Sequence, residues 1–395
     1  MAERNLDFDT VVDRKNTGCV KYDLAAEMGM PEDVLSLWVA DMDFKTSSYV
    51  QDALRRQADH GIYGYGAVFE EYFEALQSWY VRHHDWKVEK EWLVKTPGVV
   101  FALSMAVQAF TEKGDAVMIQ QPVYHPFAGA VQQNERRLVN NPLICGEDGR
   151  YSMDFQDFED KIIRERVKLF ILCSPHNPVG RVWTRQELEK VGDICCRHKV
   201  LIVSDEIHGD FVFQGKHHVL AGLKKEYEEI TITCTAPSKT FNIAGLQASN
   251  IFIPNEKLRT LYAGHISACG CGGLNSAGIT ACLAAYRDGE EWYQGMLSYI
   301  RGNILFVKDF LRERLPMLKM WEPEGTYLLW IDFRGLGLSG GELEELIVAK
   351  ARLWLDAGTM FGAEGEGFQR VNAACPRVIL RQALERLESA VKEIL

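Results

Sequence analysis

Three short polar clusters stand directly behind apolar runs. Ser174-Pro175-His176-Asn177-Pro178 follows Lys168–Cys173. Asp205-Glu206-Ile207-His208 follows Val200–Ser204. Thr235-Ala236-Pro237-Ser238-Lys239-Thr240-Phe241-Asn242 follows Ile230–Cys234. Open α/β sheets bind ligands beyond the carboxyl ends of their strands. An amide (Asn177), a carboxylate (Asp205) and a lysine (Lys239) are therefore expected to converge on one ligand. A lysine amine can hold an aldehyde as a Schiff base, and a carboxylate can keep a pyridine nitrogen protonated.

Those two needs belong to pyridoxal 5′-phosphate (PLP), whose protonated ring acts as an electron sink. In this reading Lys239 holds the aldehyde and Asp205 faces the ring nitrogen. Asn177 and His208 hydrogen-bond the phenolic oxygen, and Tyr124 covers the ring face. The phosphate needs backbone donors at a helix N-terminus. Thr96-Pro97-Gly98-Val99-Val100 supplies one, with Thr96 as the expected cap and Pro97 as the first helical residue. Gly98, Val99 and Val100 then present N–H groups, while Thr235 and Ser238 add hydroxyls. The GxxxxGK[ST] pattern of a P-loop is absent.

The elements that position these residues follow from patterning. Candidate strands are Leu93–Lys95, Ala116–Gln120, Arg137–Pro142, Lys168–Cys173, Val200–Ser204, Ile230–Cys234 and Ser249–Ile253. Continuous apolar cores such as Phe170-Ile171-Leu172 and Leu201-Ile202-Val203 suit strands buried on both faces of a parallel sheet. Helical patterns, Gly98–Thr111 and Thr184–His198, lie between them. The second opens on a capping box, Thr184 with Glu187. Alternating units of this kind predict a doubly wound α/β domain. From Glu290 to Leu315 apolar residues recur at helical spacing until Pro316. Thr326–Asp332 is strand-like, Gly341–Ala357 is read as helical, and Pro376–Leu395 as the last helix. Gly335–Gly341 and Gly362–Gly367 are read as loops. The expected division is an N-terminal segment, 1–45, packing on a small α+β domain, 289–395, with a large domain over 46–288.

The whole chain excludes several classes. Its 395 residues exceed one ordinary core. A hydrophobic content of 47%, a charged content of 25% and a net charge of −11 disfavour disorder, membrane insertion and nucleic-acid binding. MAERNLDFD carries no apolar signal region, and Val99–Phe110 is too short to span a bilayer. The ten cysteines contain no CxxC and are read as reduced, mostly buried thiols of a soluble, cytoplasmic protein. No metal site is expected. His83–His84 and His217–His218 are read as pairs in surface loops, and Glu342, Glu344 and Glu345 as a solvated helix face.

The motifs Ser174-Pro175-His176-Asn177-Pro178-Val179-Gly180-Arg181, Ser204-Asp205-Glu206-Ile207-His208 and Ala236-Pro237-Ser238-Lys239-Thr240-Phe241-Asn242 resemble those of fold-type-I PLP enzymes. More narrowly, they resemble the MalY/PatB-type cystathionine β-lyases and cystalysin, a branch of the class I/II aminotransferases. The resemblance extends to Leu37–Phe44, Gly64-Tyr65, Phe361-Gly362, Gly365, Gly367-Phe368 and Arg370-Val371-Asn372. It implies an α/β fold with a mostly parallel seven-stranded sheet and a smaller α+β domain. It implies the PLP roles given above, with Tyr124 stacking on the ring. Tyr65 would reach a neighbouring subunit's phosphate in a homodimer with shared sites. Arg370 would grip the substrate carboxylate, helped by the backbone near Ala40, with Asn177 alongside. Lys239, Tyr65 or Tyr124 would protonate a departing sulfur. His125 stands where the branch often has tyrosine or asparagine. Gln247, eight residues after Lys239, stands where many aminotransferases have a phosphate-binding arginine. Cys269–Gly273 is unusually small. The implied activity is cleavage of cystathionine or related cysteine S-conjugates to pyruvate, ammonia and a thiol. Aminotransfer uses the same residues and stays open, as does an added regulatory role through a partner.

Overall fold

Seven of the apolar runs pair into one sheet, in the spatial order Leu93–Thr96, Ser249–Phe252, Thr231–Thr235, Leu201–Asp205, Val167–Cys173, Ala116–Ile119, Arg137–Asn140. Ser249–Phe252 runs antiparallel to both neighbours, and every other pairing is parallel. This computed structural model describes residues 6–394, so the first five residues and Leu395 of the predicted last helix lie outside the described residues. The seven predicted strands are all present, each within a residue or two of its expected bounds. Their unbroken hydrophobicity has a structural cause. Along Val167–Cys173, Phe170 and Leu172 enter one buried cluster while Leu169, Ile171 and Cys173 enter another on the opposite face.

Helices cover both faces. Arg185–His198 starts as predicted: the Thr184 hydroxyl accepts from the Glu187 N–H, and the Glu187 carboxylate accepts from the Thr184 N–H. The 25-residue helix Glu290–Arg314 leads to a second, antiparallel sheet of order Lys319–Met320, Leu328–Asp332, Phe368–Asn372, Asp356–Ala357. Helix Arg377–Lys392 closes the chain's fold.

The predicted helix over Gly341–Ala357 is corrected. Helical structure stops at Lys350, Arg352 turns left-handed (φ 54°), and the buried Leu353-Trp354 becomes a strand. Leu353–Trp354 pairs in parallel with Leu35–Ser36. The N-terminal segment continues along this edge, with the Asn372 N–H donating to the Leu37 carbonyl and the Asp43 N–H to that of Ala374. Leu37 and Trp38 thereby lie beside the second sheet.

All ten cysteines are free, but only five are buried, and Cys145 and Cys269 are exposed. Among the described residues no helix is long and apolar enough to cross a membrane, and no cluster of three or more His, Cys, Asp or Glu could hold a metal ion.

Candidate active site

A cavity of about 200 Å³ opens at the carboxyl ends of the central strands. The order of the chain brings the predicted polar groups here because each follows its strand directly. Lys239 sits in the one-turn helix Pro237–Thr240, and its Nζ donates to the Ala40 carbonyl at 2.7 Å. The same carbonyl accepts from the Tyr327 hydroxyl at 2.8 Å. Burial pulls the Lys239 ammonium down to about 8. Asp205 ends its strand, and its Oδ1 accepts from the Ile207 N–H at 3.1 Å. Burial pushes the Asp205 carboxyl up to about 7, against the pull of the Ile207 N–H and of Lys239. His208 is held near 3, chiefly by burial and then by the charges of Lys239 and Arg370, so its ring is neutral. Its Nδ1 is buried without a partner.

Asn177 and Tyr124 form the next wall. The Tyr124 N–H donates to the Asn177 carbonyl at 3.0 Å. The Asn177 Oδ1 accepts from Arg370 Nη1 at 3.1 Å, which leaves its amide nitrogen for the cavity. The loop is pinned from behind. Gly180 is left-handed (φ +71°), and a Cβ there would lie 2.6 Å from that of Pro323. Arg181, buried, spans Glu187 and Glu324.

The phosphate-type end is corrected in detail. Thr96 remains in its strand, Pro97 lies outside the helix, and the helix is Val99–Phe110 with Gly98 as its cap residue. The Ala102 N–H takes the Gly98 carbonyl. The first-turn N–H groups of Val99, Val100 and Phe101 have no helical acceptor, and all three residues line the cavity beside Gly98 and Ser238. Ser249, also in the lining, has a buried hydroxyl without a partner. Thr235 is corrected outright. It belongs to the strand, its hydroxyl donates to the Asn250 carbonyl at 2.7 Å, and it lines a separate internal cavity.

Arg370, in strand Phe368–Asn372, is buried just behind this wall. Its Nη2 donates to the Trp38 carbonyl at 2.9 Å and to Asp356 Oδ2, and its guanidinium stacks on Phe361. Ala40 lines the cavity, but its carbonyl is directed to Lys239 and Tyr327. Tyr65 is fully exposed and does not line the cavity of its own subunit.

The histidine pairs are corrected as well. His83 and His84 end helix Glu70–His84, and His84 and His217 are both buried. Behind the Lys239 helix, His84 Nε2 pairs with Asp210 Oδ1 at 2.9 Å and His217 Nε2 with Glu206 Oε2 at 2.8 Å. Asp210 also accepts from Trp79 Nε1 and from the Thr240 hydroxyl, next in sequence to Lys239. Burial opposes its charge, yet these bonds hold its carboxyl below the usual range. Asp210→Ala strands several buried donors at once and is expected to lower the unfolding free energy by about 3–5 kcal/mol. Urea unfolding with an unchanged midpoint would contradict this.

Sequence reasoning missed Tyr327, Asp356, Asn242 and Ser249. Asn242 follows Lys239 closely and grips the N-terminal segment through Met42 and Phe44; its place in the lysine motif was the available signal. The others have no local signature.

The profile of the family described as aminotransferase class I and II matches residues 32–387. Cystathionine beta-lyase PatB of Bacillus subtilis (strain 168) is 44% identical over 98% of this chain and 100% of its own length. The structure of cystalysin from Treponema denticola, which contains a pyridoxal 5′-phosphate cofactor, superposes with a TM-score of 0.96 and 38% identity, covering 99% of this chain and 100% of that one. The PLP-bound C-S lyase from Staphylococcus hominis gives 0.92 and 34%, covering 98% of both chains.

Proposed function

The chain belongs to the class I and II aminotransferase family, and on that footing we propose that it is a PLP-dependent carbon–sulfur β-lyase acting on cystathionine or related cysteine S-conjugates. The observation that carries the reading is the cavity itself. Its lining has Lys239 and Asp205, an unpartnered His208 Nδ1, an unpartnered Ser249 hydroxyl and a helix N-terminus with free N–H groups. Those orphaned groups fit an aldehyde-bearing, phosphorylated pyridine. Lys239 would hold it at one end; Gly98, Val99, Val100 and Ser238 would hold the phosphate. Asp205 would face the ring nitrogen, Asn177 and His208 the phenolic oxygen, and Tyr124 the ring face.

PLP, when bound, supplies an electron sink for the pair left at Cα. The chain's residues do the rest. Arg370 orients the substrate through its α-carboxylate. Lys239, with its lowered proton affinity, takes the Cα proton. The Cβ–S bond then breaks, and Lys239, Tyr124 or a partner's tyrosine returns a proton to the sulfur. The thiol leaves, and one water then supplies the keto oxygen as the amino group departs, giving pyruvate and ammonia. Among the described residues the lining that this subunit contributes holds no cation but Lys239, so the subunit itself offers a second substrate carboxylate no counter-charge. That disfavours dicarboxylate aminotransfer. With saturating L-cystathionine, pyruvate is expected to form well above the rate of transamination of alanine, aspartate or an aromatic amino acid. Faster keto-acid formation from any of these would replace the lyase reading by the aminotransferase one.

The active unit in this reading is a two-fold dimer. Ile62, Tyr63, Tyr65 and Phe69 form an exposed apolar segment that suits burial against a second copy. Tyr65 would complete the neighbour's phosphate site. Tyr65→Phe is expected to weaken PLP retention about tenfold, measured by dialysis. A fully active monomer in sedimentation would refute the shared site. Ten unpaired thiols suit a reducing compartment such as the cytoplasm. The chain would divide into the segment 1–45, a large domain 46–288 and a small domain 289–395.

A further inference from the structure

Arg370 already has a carboxylate. Asp356 and Arg370 are directly opposed residues of neighbouring antiparallel strands, so the pairing is fixed by strand register. Both side chains are buried, and Asp356 Oδ2 accepts from Nη2. The donors of the guanidinium can be counted. Nη2 gives one hydrogen to the Trp38 carbonyl and the other to Asp356, Nη1 gives one to Asn177, and Nε has no partner.

A substrate carboxylate gripped by a fork needs two parallel N–H groups on one edge of the guanidinium. The usable edges are Nη1 with Nη2 and Nε with Nη2. Each includes Nη2, and both Nη2 hydrogens are taken. One partner must give way. The Trp38 carbonyl cannot easily move: the Trp38 ring stacks on Trp354 at 4.3 Å, and the Leu37 N–H is tied to the Trp354 carbonyl. Asp356 is a side chain with torsional freedom and a like charge to the incoming group. His125, the residue that departs from the family pattern, is close enough to feel the charges of both Asp356 and Arg370.

We infer that Asp356 is a specificity-determining residue: it occupies the Arg370 fork in the empty site, yields it to the α-carboxylate, and remains nearby as a like charge that disfavours ligands bearing a second carboxylate. This rests on Arg370 being the carboxylate fork. It goes further by assigning the selection against acidic side chains to a residue of this chain. Neutralising Asp356 therefore strengthens carboxylate binding, and strengthens it more for a dianion.

The test measures binding of two unreactive ligands without an amine, propionate and succinate, to the PLP-loaded enzyme by calorimetry. Asp356→Asn and Asp356→Ser are both examined, so that a folding defect in one leaves the other; Asp356→Glu retains the charge. Both neutral variants are expected to bind propionate a few-fold tighter and succinate about tenfold tighter or more, while Asp356→Glu keeps the wild-type ratio. Unchanged or weakened binding of both ligands in the neutral variants, or an equal gain for the two, overturns the inference. Arg370→Gln separates the underlying reading. It should lose propionate binding, and if it binds propionate as wild type does, the fork assignment fails and the role of Asp356 falls with it.

Discussion

Lys239→Ala is expected to lower pyruvate release from L-cystathionine by about 10⁴-fold or more. Lys239 is the sole amine in the cavity lining among the described residues, and the proposed chemistry uses it twice, to hold the cofactor and to move the Cα proton. Losing general-base catalysis alone costs about 10²–10⁴-fold. The wild-type protein should also show the lysine's altered acidity directly. With the ammonium held at about 8 by burial, roughly a tenth of Lys239 is neutral at pH 7, against about one part in 3,000 for an ordinary lysine. Capture of PLP by cofactor-depleted protein should therefore accelerate about fivefold from pH 7 to pH 8 and level off above pH 9. A rate still climbing tenfold per unit at pH 10 would show an unperturbed amine. Borohydride should fix the cofactor to the Lys239 peptide, and labelling of any other lysine would sink the assignment.

Asp205→Asn should leave the cavity's shape intact and remove its one charge placed for the ring nitrogen. Preorganised electrostatic partners of this kind are worth about 10²–10³-fold in kcat when removed. PLP should still bind, because the phosphate donors and Lys239 are untouched. The informative result is a split: retained cofactor absorbance with kcat down by about 10²–10³. A near-normal rate would place the ring nitrogen elsewhere. Burial pushes the Asp205 carboxyl up to about 7 even though the Ile207 N–H and the charge of Lys239 pull it down. A pyridinium next to it would favour its ionised form, so cofactor and carboxylate should stabilise each other's charge.

Much of this was legible because a doubly wound sheet makes its own geometry readable. Strands such as Val167–Cys173 are buried on both faces and appear as unbroken apolar runs, and the residues that end them necessarily meet at one rim. Asn177, Asp205, His208, Ser238 and Lys239 needed nothing more. The failures have equally local causes. Thr235 was taken as the first loop residue but is the last strand residue, and it lines the separate cavity beside His84 and Asp210 instead of the one at Lys239. Thr96 likewise stayed in its strand, which moved the helix start to Val99. His84 looked like half of a surface pair, yet the helix Glu70–His84 turns it inward onto Asp210. Asp356 was out of reach for a deeper reason. Its meaning comes from register with Arg370, and Asp356 itself fell inside Gly341–Ala357, the segment read as helix.

The grip of Asn372 and Arg370 on residues 37–41 carries a consequence for how the protein is made. The Arg370–Trp38 bond spans 332 residues, and the Lys239–Ala40 bond spans 199. Chains emerge from the ribosome at about 5–20 residues per second. Trp38 therefore waits on the order of tens of seconds for the strand that fixes it, and through that interval Ala40 lacks its anchor on the far side. The central strands and Lys239 are complete much earlier, so a nascent chain has its reactive amine before it has the wall that shelters it. Competence for the cofactor should thus arrive abruptly and late, with the synthesis of Phe368–Asn372. Chains stalled before that strand should fail to retain PLP, even though every residue proposed to touch the cofactor within the subunit has already been made.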